Sequence, residues 1–143
     1  MYIESARPED AAALAPLMDQ LVDTPSEVPL VEQTLARILA DPAYHLLVAR
    51  EKGQILGTMM GILCYDLTGR CDPFLVVENV VTAASARGKG VARALMAELE
   101  RIARAHRCTC MMLCSGSERT GAHEAYRRMG FSDTITKGFK KML

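Results

Sequence analysis

The feature that most constrains this 143-residue chain is a three-part segment in its second half. A β-branched run, Phe74-Leu75-Val76-Val77-Glu78-Asn79-Val80-Val81-Thr82, reads as a strand. It leads through Arg87-Gly88-Lys89-Gly90 into a stretch with Val91, Leu95, Leu99 and Ile102 at helical spacing. Thr109 to Cys114 then reads as a buried strand. Strand, loop, helix and strand in that order predict a βαβ crossover and a parallel pair. The loop is an anion site in physical terms. Its glycines let the backbone approach a ligand, and the first N–H groups of a helix lack partners inside it. Arg87 and Lys89 add positive charge, so a phosphate or pyrophosphate is the natural guest.

Other phosphate loops fit poorly. A Walker A loop needs Ser or Thr after its lysine, and Lys89 is followed by Gly90. The dinucleotide fingerprint fails because Arg93 stands where its third glycine belongs. Taken alone, the loop also reads as a Gly-rich helix entry with two solvated basic residues.

The first half predicts helices and an antiparallel meander. Tyr2 to Ala6 reads as a first strand, and Pro8 starts a helix with Leu14, Leu17, Met18 and Leu21 as its stripe. Asp23 to Pro29 is a loop. A second helix carries Val31, Leu35, Ile38 and Leu39, ending before Asp41-Pro42. His45 to Arg50 and Gln54 to Leu63 form a hairpin about Glu51-Lys52-Gly53, and Thr68 to Pro73 is a turn. After Cys114, Arg119 to Met129 reads as a helix closed by Gly130. One α/β domain over 1–143 follows, with a mixed sheet.

Seventeen Lys and Arg balance seventeen Asp and Glu, which argues against a nucleic-acid surface. No apolar run approaches the roughly 20 residues that span a bilayer, and Met1 to Ser5 lacks the regions of a signal peptide. A cytoplasmic location is expected. The five cysteines lack metal-ligand spacing, so they are read as free thiols and no metal is expected.

Arg87, Gly90 and Ala92 match the Arg/Gln-x-x-Gly-x-Gly/Ala signature of the GNAT (GCN5-related) acetyltransferases. Val77 to Thr82 resembles that family's fourth strand. Ala122-His123-Glu124-Ala125-Tyr126-Arg127-Arg128-Met129-Gly130-Phe131 resembles its later helix and exit. The resemblance spans about Phe74 to Phe131. It implies a mixed, mostly antiparallel sheet of 6–7 strands, with strands 4 and 5 parallel and splayed, flanked by about four helices.

The resemblance also implies acetyl-CoA as co-substrate in the splay and transfer of its acetyl group to a primary amine. The backbone of Val80, Val81 and Thr82 would pair with the pantetheine arm. Residues Arg87, Gly88, Lys89, Gly90, Val91 and Ala92 would hold the pyrophosphate, and an N–H near Val80 would polarise the thioester carbonyl. Tyr126 falls where the family commonly places an acid near the CoA sulfur, although it also shares an apolar face with Ala122 and Met129. Glu78 interrupts an apolar strand, where a carboxylate needs a partner or a wet cavity. It would either deprotonate the amine or bind a cationic substrate. His123, three residues before Tyr126, is a candidate CoA contact or a surface histidine. The asparagine many members use near this helix is absent, leaving Ser115 or Arg119 as replacements.

The acceptor is not written in these motifs. Asp19, Asp23, Glu27, Asp66 and Asp72 suit a cationic small molecule such as an amino sugar, aminoglycoside, polyamine or amino acid. Tyr65, Asp72, Phe74 and Asn79 are the candidate acceptor contacts. Two other readings stand beside this one: a protein N-acetyltransferase, and a non-catalytic acyl-CoA-binding or sensing domain. A homodimer, with Phe139 to Leu143 contributing a strand, is a further expectation.

Overall fold

A computed structural model describes residues 1–143. Five strands form one sheet in the order β1-β2-β3-β4-β5: Tyr2–Ser5, Tyr44–Glu51, Gln54–Cys64, Phe74–Thr82 and Met111–Met112. The first four pair antiparallel and β4 pairs parallel with β5. The helices are α1 (Ala11–Met18), α2 (Val28–Ala40), α3 (Val91–Ala105) and α4 (Thr120–Arg128). Short 3-10 turns at Pro8–Asp10 and Ala84–Ala86 precede α1 and α3.

Strand pleating divides the core. Leu47 and Ala49 of β2 join Met59, Leu75 and Val77 beneath Val91, Leu95, Met96, Leu99 and Ala103 of α3. Leu46 and Val48, alternating with them, meet Met60, Leu14 and Leu35 below α1 and α2. Successive residues of one strand thus feed opposite layers. Each fully buried aliphatic side chain of α3 contributes about 1.5–3 kcal/mol by leaving water. The helix sits close because β3 offers no side chain beneath it at two points. A Cβ on Gly57 would lie 2.8 Å from Val91 Cγ1, and one on Gly61 would lie 2.8 Å from Leu99 Cδ2.

The β2–β3 turn places Lys52 and Gly53 at φ +48° and +79°, the double left-handed turn that suits a two-residue hairpin. The three buried polar residues, Asp10, Arg50 and Thr58, are paired. Buried Thr58 donates its hydroxyl to the Leu47 carbonyl at 2.7 Å. The Arg50 guanidinium, largely buried, donates to both Asp10 carboxylate oxygens at 2.9 Å and to Glu4 at 2.5 Å, tying β1 and β2 to the turn before α1.

Three features depart from the sequence expectation. The sheet has five strands rather than 6–7. The segment Thr109 to Cys114 forms a strand only at Met111–Met112. Leu21 lies beyond the end of α1, because the chain turns at Asp19 and the Asp19 carboxylate accepts the Ser26 N–H at 2.6 Å. Phe139, Met142 and Leu143, in the segment expected to serve a dimer, are exposed in the single chain.

Candidate functional site

β4 and β5 part company early. Their register runs Leu75↔Met111 and Val76↔Met112 and stops there. From Val77 onward β4 leaves an opening towards the chain that follows β5. The result is a cavity of about 220 Å³. Val77, Glu78, Asn79 and Val80 form its β4 wall, and Leu113, Cys114, Arg119 and Tyr126 form the opposite wall. Leu21 and Val22, from the α1–α2 loop, close one mouth. A larger hollow of about 360 Å³, bordered by His45, His106 and the α3 residues Glu98 and Arg101, is lined by no residue of β4 or the glycine loop. The splay is therefore the site that unites β4 with Tyr126.

A bulge shapes the β4 wall. Met60 pairs with Glu78 and Thr58 with Val81, so three steps on β4 oppose two on β3. The extra residue includes Asn79, held at φ +49°. Asparagine tolerates this left-handed region better than the β-branched residues around it. Bulges of this kind re-aim neighbouring groups beside functional sites. Glu78 stays exposed while Val77 is buried against α3. Its cross-strand partner Met60 packs in the α1–α2 layer, so Glu78 shares that side of the sheet.

Tyr126 owes its position to the end of α4. Gly130 adopts φ +91°. The Phe131 N–H bonds the Tyr126 carbonyl and the Gly130 N–H bonds the Arg127 carbonyl, both at 3.0 Å. This is a Schellman cap, and its usual hydrophobic contact is made by Phe131 against Tyr126, edge to face with centroids 6.1 Å apart. The fixed residue lines the cavity. Burial raises the pKa of the Tyr126 phenol; the Arg119 cation opposes the rise and the Glu78 carboxylate reinforces it. At neutral pH the hydroxyl keeps its proton.

The loop ahead of α3 enters the helix through two left-handed glycines. Gly88 and Gly90 lie at φ +77° and +78°, and Gly90 is the N-cap of α3. The Ala94 N–H bonds the Gly90 carbonyl at 3.0 Å. The N–H groups of Val91, Ala92 and Arg93 therefore fall in the helix's first turn, where intrahelical acceptors are missing. Val91 is buried in the core beneath the helix and anchors this first turn. Arg87 donates to the Gln20 side-chain oxygen at 3.0 Å, linking this loop to the α1–α2 loop.

The remaining candidates divide. Ser115 has a buried hydroxyl oxygen with no hydrogen-bond partner, an unmet capacity at the edge of the splay. His123 Nε2 and the Gly116 carbonyl are 2.8 Å apart, so the ring clamps the 115–119 turn. Val80 and Asn79 line the cavity, and Val81 and Thr82 extend the strand from it. Tyr65, Asp72 and Phe74 do not line it. Tyr65 is 99 % exposed in the loop after β3. Asp72 is 3.4 Å from Arg107, and Phe74 pairs with Cys64 at the far end of β4. Sequence reasoning missed Leu21, Val22, Leu113 and Cys114 as cavity walls. Leu21 had been placed on the α1 stripe, and Leu113 and Cys114 on a strand. The apolar pair Leu21-Val22 between polar neighbours was the available signal.

No helix is long and apolar enough to cross a membrane. The five cysteines are free, and no group of three or more His, Cys, Asp or Glu is arranged to hold a metal ion.

The model of the acetyltransferase (GNAT) family matches residues 14–131. Among solved structures, a protein of Agrobacterium tumefaciens str. C58, provisionally described as an acetyltransferase, shares 27 % identity with full coverage of both chains and a TM-score of 0.93. A protein described as a transcriptional regulator from Bacillus halodurans C-125 has 22 % identity, 99 % coverage of each chain and a TM-score of 0.91. Glucosamine-6-phosphate N-acetyltransferase from Arabidopsis thaliana has 19 % identity, covers 98 % of this chain and 97 % of its own, and has a TM-score of 0.84. The last two, below a quarter identical, carry the fold alone. The parallel splayed pair, the glycine loop capping α3 and the family match together have one outcome: this chain belongs to the GNAT acetyltransferases.

Proposed function

We propose that this chain moves the acetyl group of acetyl-CoA directly to a primary amine of a small molecule. The observation that carries the reading is the splay itself, which puts Glu78 and Tyr126 on opposite walls of one cavity. The pyrophosphate is assigned to the backbone of residues 87–92, with Arg87 and Lys89 adding charge. The pantetheine arm is assigned to Val80, Val81 and Thr82, as an added strand on the open side of β4. Ser115 and Arg119 take the contacts that an asparagine makes elsewhere in the family, and the unpartnered Ser115 hydroxyl supports that role.

The chemistry needs two proton movements. The amine lone pair attacks the acetyl carbonyl, forming the C–N bond and a tetrahedral oxyanion, which an N–H near Val80 stabilises. Collapse breaks the C–S bond. Glu78 accepts the proton lost by the amine, directly or through water. Tyr126 gives its proton to the departing thiolate. A phenol raised above its usual range is fully protonated when the thiolate forms. A CoA thiol is a stronger acid than that phenol, so the transfer accompanies bond breaking rather than preceding it.

Free-thiol release from acetyl-CoA against a panel of amines tests the reading, with calorimetry reporting CoA binding. Tyr126→Phe should lower kcat by roughly 10²-fold, the low end of general-acid contributions, with acetyl-CoA affinity retained. Unchanged turnover would remove Tyr126 as the acid. CoA binding without thiol release for any small amine would instead favour a sensing domain or a protein acceptor. The reading extends to a homodimer joined through Phe139 to Leu143, whose exposed apolar residues lack a partner in the single chain. Light scattering that finds monomer alone would remove that part.

A further inference from the structure

The chain's lysines are unevenly placed. Lys52 sits in the β2–β3 turn and Lys89 in the glycine loop, while Lys137, Lys140 and Lys141 share the segment that follows α4. Residues 132–143 form no helix or strand, and every one of them is exposed. The one acidic side chain among them, Asp133, is held by Arg127 at 2.7 Å. The three lysine ammonium groups take part in no ion pair or hydrogen bond.

This segment departs from the cleft itself. Tyr126 lines the cavity, and Phe131, just before the segment, packs against its ring. Ser132 to Lys137 extends to at most about 20 Å, at roughly 3.3–3.6 Å per residue. That reach exceeds the width of a cavity of about 220 Å³. An amine on so short a tether has an effective concentration of about a millimolar, whatever the protein concentration.

Charge favours the approach. Between Arg7 and Arg37 the chain has six acidic residues and no basic one. Asp10 is engaged by Arg50, and Asp19 accepts the Ser26 N–H. Asp23 and Glu27 are exposed and unpaired, on the loop whose Leu21 and Val22 line the cavity mouth. Glu78, also exposed and unpaired, stands inside. A segment with three lysines is drawn towards such a mouth. The flexible four-carbon stem of lysine carries its amine well ahead of the backbone, which suits a narrow opening.

Resting on the acetyl-transfer reading above, we propose that the chain acetylates its own Lys137, Lys140 and Lys141, besides any small amine. The Nζ lone pair attacks the acetyl carbonyl of acetyl-CoA; the C–N bond forms and the C–S bond breaks. Glu78 takes the proton that Nζ loses, and Tyr126 gives its proton to the CoA thiolate. The products are an Nε-acetyl-lysine and free CoA, and proton exchange with water resets Glu78 and Tyr126. Each transfer removes one positive charge from the segment. An acetylated segment therefore loses its attraction to the acidic mouth and leaves it to external amines.

The test incubates the full chain with acetyl-CoA and follows each lysine by peptide mass spectrometry. Lys52, exposed in its turn, is the internal reference for uncatalysed acetylation. The segment lysines should gain acetyl groups about 10²-fold faster than Lys52, the low end of general acid–base catalysis. Their rate should not change on dilution of the protein. Glu78→Gln should bring them down to the Lys52 rate. The triple variant K137R/K140R/K141R should abolish the segment signal and leave thiol release with an added amine in place. Labelling no faster than at Lys52, or a rate proportional to protein concentration, would overturn the proposal, as would a segment rate that Glu78→Gln leaves intact. Thiol release with an added amine but no segment label would overturn it while the acetyl-transfer reading stands. Failure of acetyl-CoA to bind in calorimetry would bring both down.

Discussion

The two walls of the cleft are built to different standards. The β4–α3 wall belongs to a core in which Leu75, Leu95 and Leu99 are fully buried. The wall of β5 and α4 has none of this: every buried residue lies at or before Ala103, and α4 contributes no buried side chain. The first wall is a rigid platform whose geometry is set by folding. The second is held by a Schellman cap, a T-shaped aromatic pair and a histidine clamp. Local stability follows buried apolar contact, so the two walls should open at different free energies. On the acetyl-CoA reading, a cleft that admits a long cofactor between two strands gains from having one wall that yields.

Mutations in the two walls should break that comparison most sharply. Leu99→Ala should cost about 2–5 kcal/mol of global stability, the range for a truncated core leucine. Met112→Ala, at a residue 45 % exposed on β5, should stay within about 0.5 kcal/mol. Urea titration measures both, and equal losses would mean the walls are equally consolidated. Amide exchange sharpens the point. Amides of residues 120–128 should exchange through local opening, well before those of residues 46–49. On the acetyl-CoA reading, cofactor at about 100 times its Kd should slow exchange in α4 by up to about 100-fold, equivalent to about 2.7 kcal/mol. An α4 that is indifferent to acetyl-CoA would not be a cofactor wall.

Smaller effects separate the devices that hold each wall. Gly130→Ala forces a Cβ into the left-handed region and should cost about 1–2 kcal/mol, read as faster exchange in α4 and a lower kcat. If only the core responded, the cap would not be what positions Tyr126. The smallest effect concerns Glu4. Its hydrogen bond from Arg50 holds its carboxyl below the usual glutamate range. A depressed folded pKa stabilises above the unfolded value and is lost as pH falls through the folded one. Glu4→Gln should therefore lower the urea midpoint slightly near about pH 7 and leave it little changed near about pH 3. Equal shifts at both pH values would remove the ionic contribution.

Much of the platform was legible in the sequence because it is periodic. The α3 stripe, the hairpin about Lys52-Gly53 and β4 all sit where apolar spacing and turn residues put them. The Gly130 stop was readable for the same reason, since a left-handed cap favours glycine. The second wall was less legible. Thr109 to Cys114 looks like a strand, yet strand formation needs a partner, and β4 offers one only at Leu75 and Val76. Leu21 extends the α1 stripe in sequence and lines the cavity in space, because the Asp19–Ser26 bond turns the chain after Met18. Asp72, chosen for its charge, lies outside the cavity, in the β3–β4 loop 3.4 Å from Arg107.

The bulge at Asn79 also acts as slack taken up within the ladder. Three steps of β4 span the same length as two steps of β3 between the pairs Met60↔Glu78 and Thr58↔Val81, roughly 7 Å at about 3.4 Å per residue. Deleting Asn79 would therefore leave both ends of the stretch where β3 holds them and remove only the local kink. The β4 backbone would then regain the even alternation of an unbroken strand. On the acetyl-CoA reading, the N–H near Val80 would lose its aim at the thioester while the phosphates still met the loop. Aim in this cleft is thus set by one surplus residue, which substitutions leave in place and a single deletion removes.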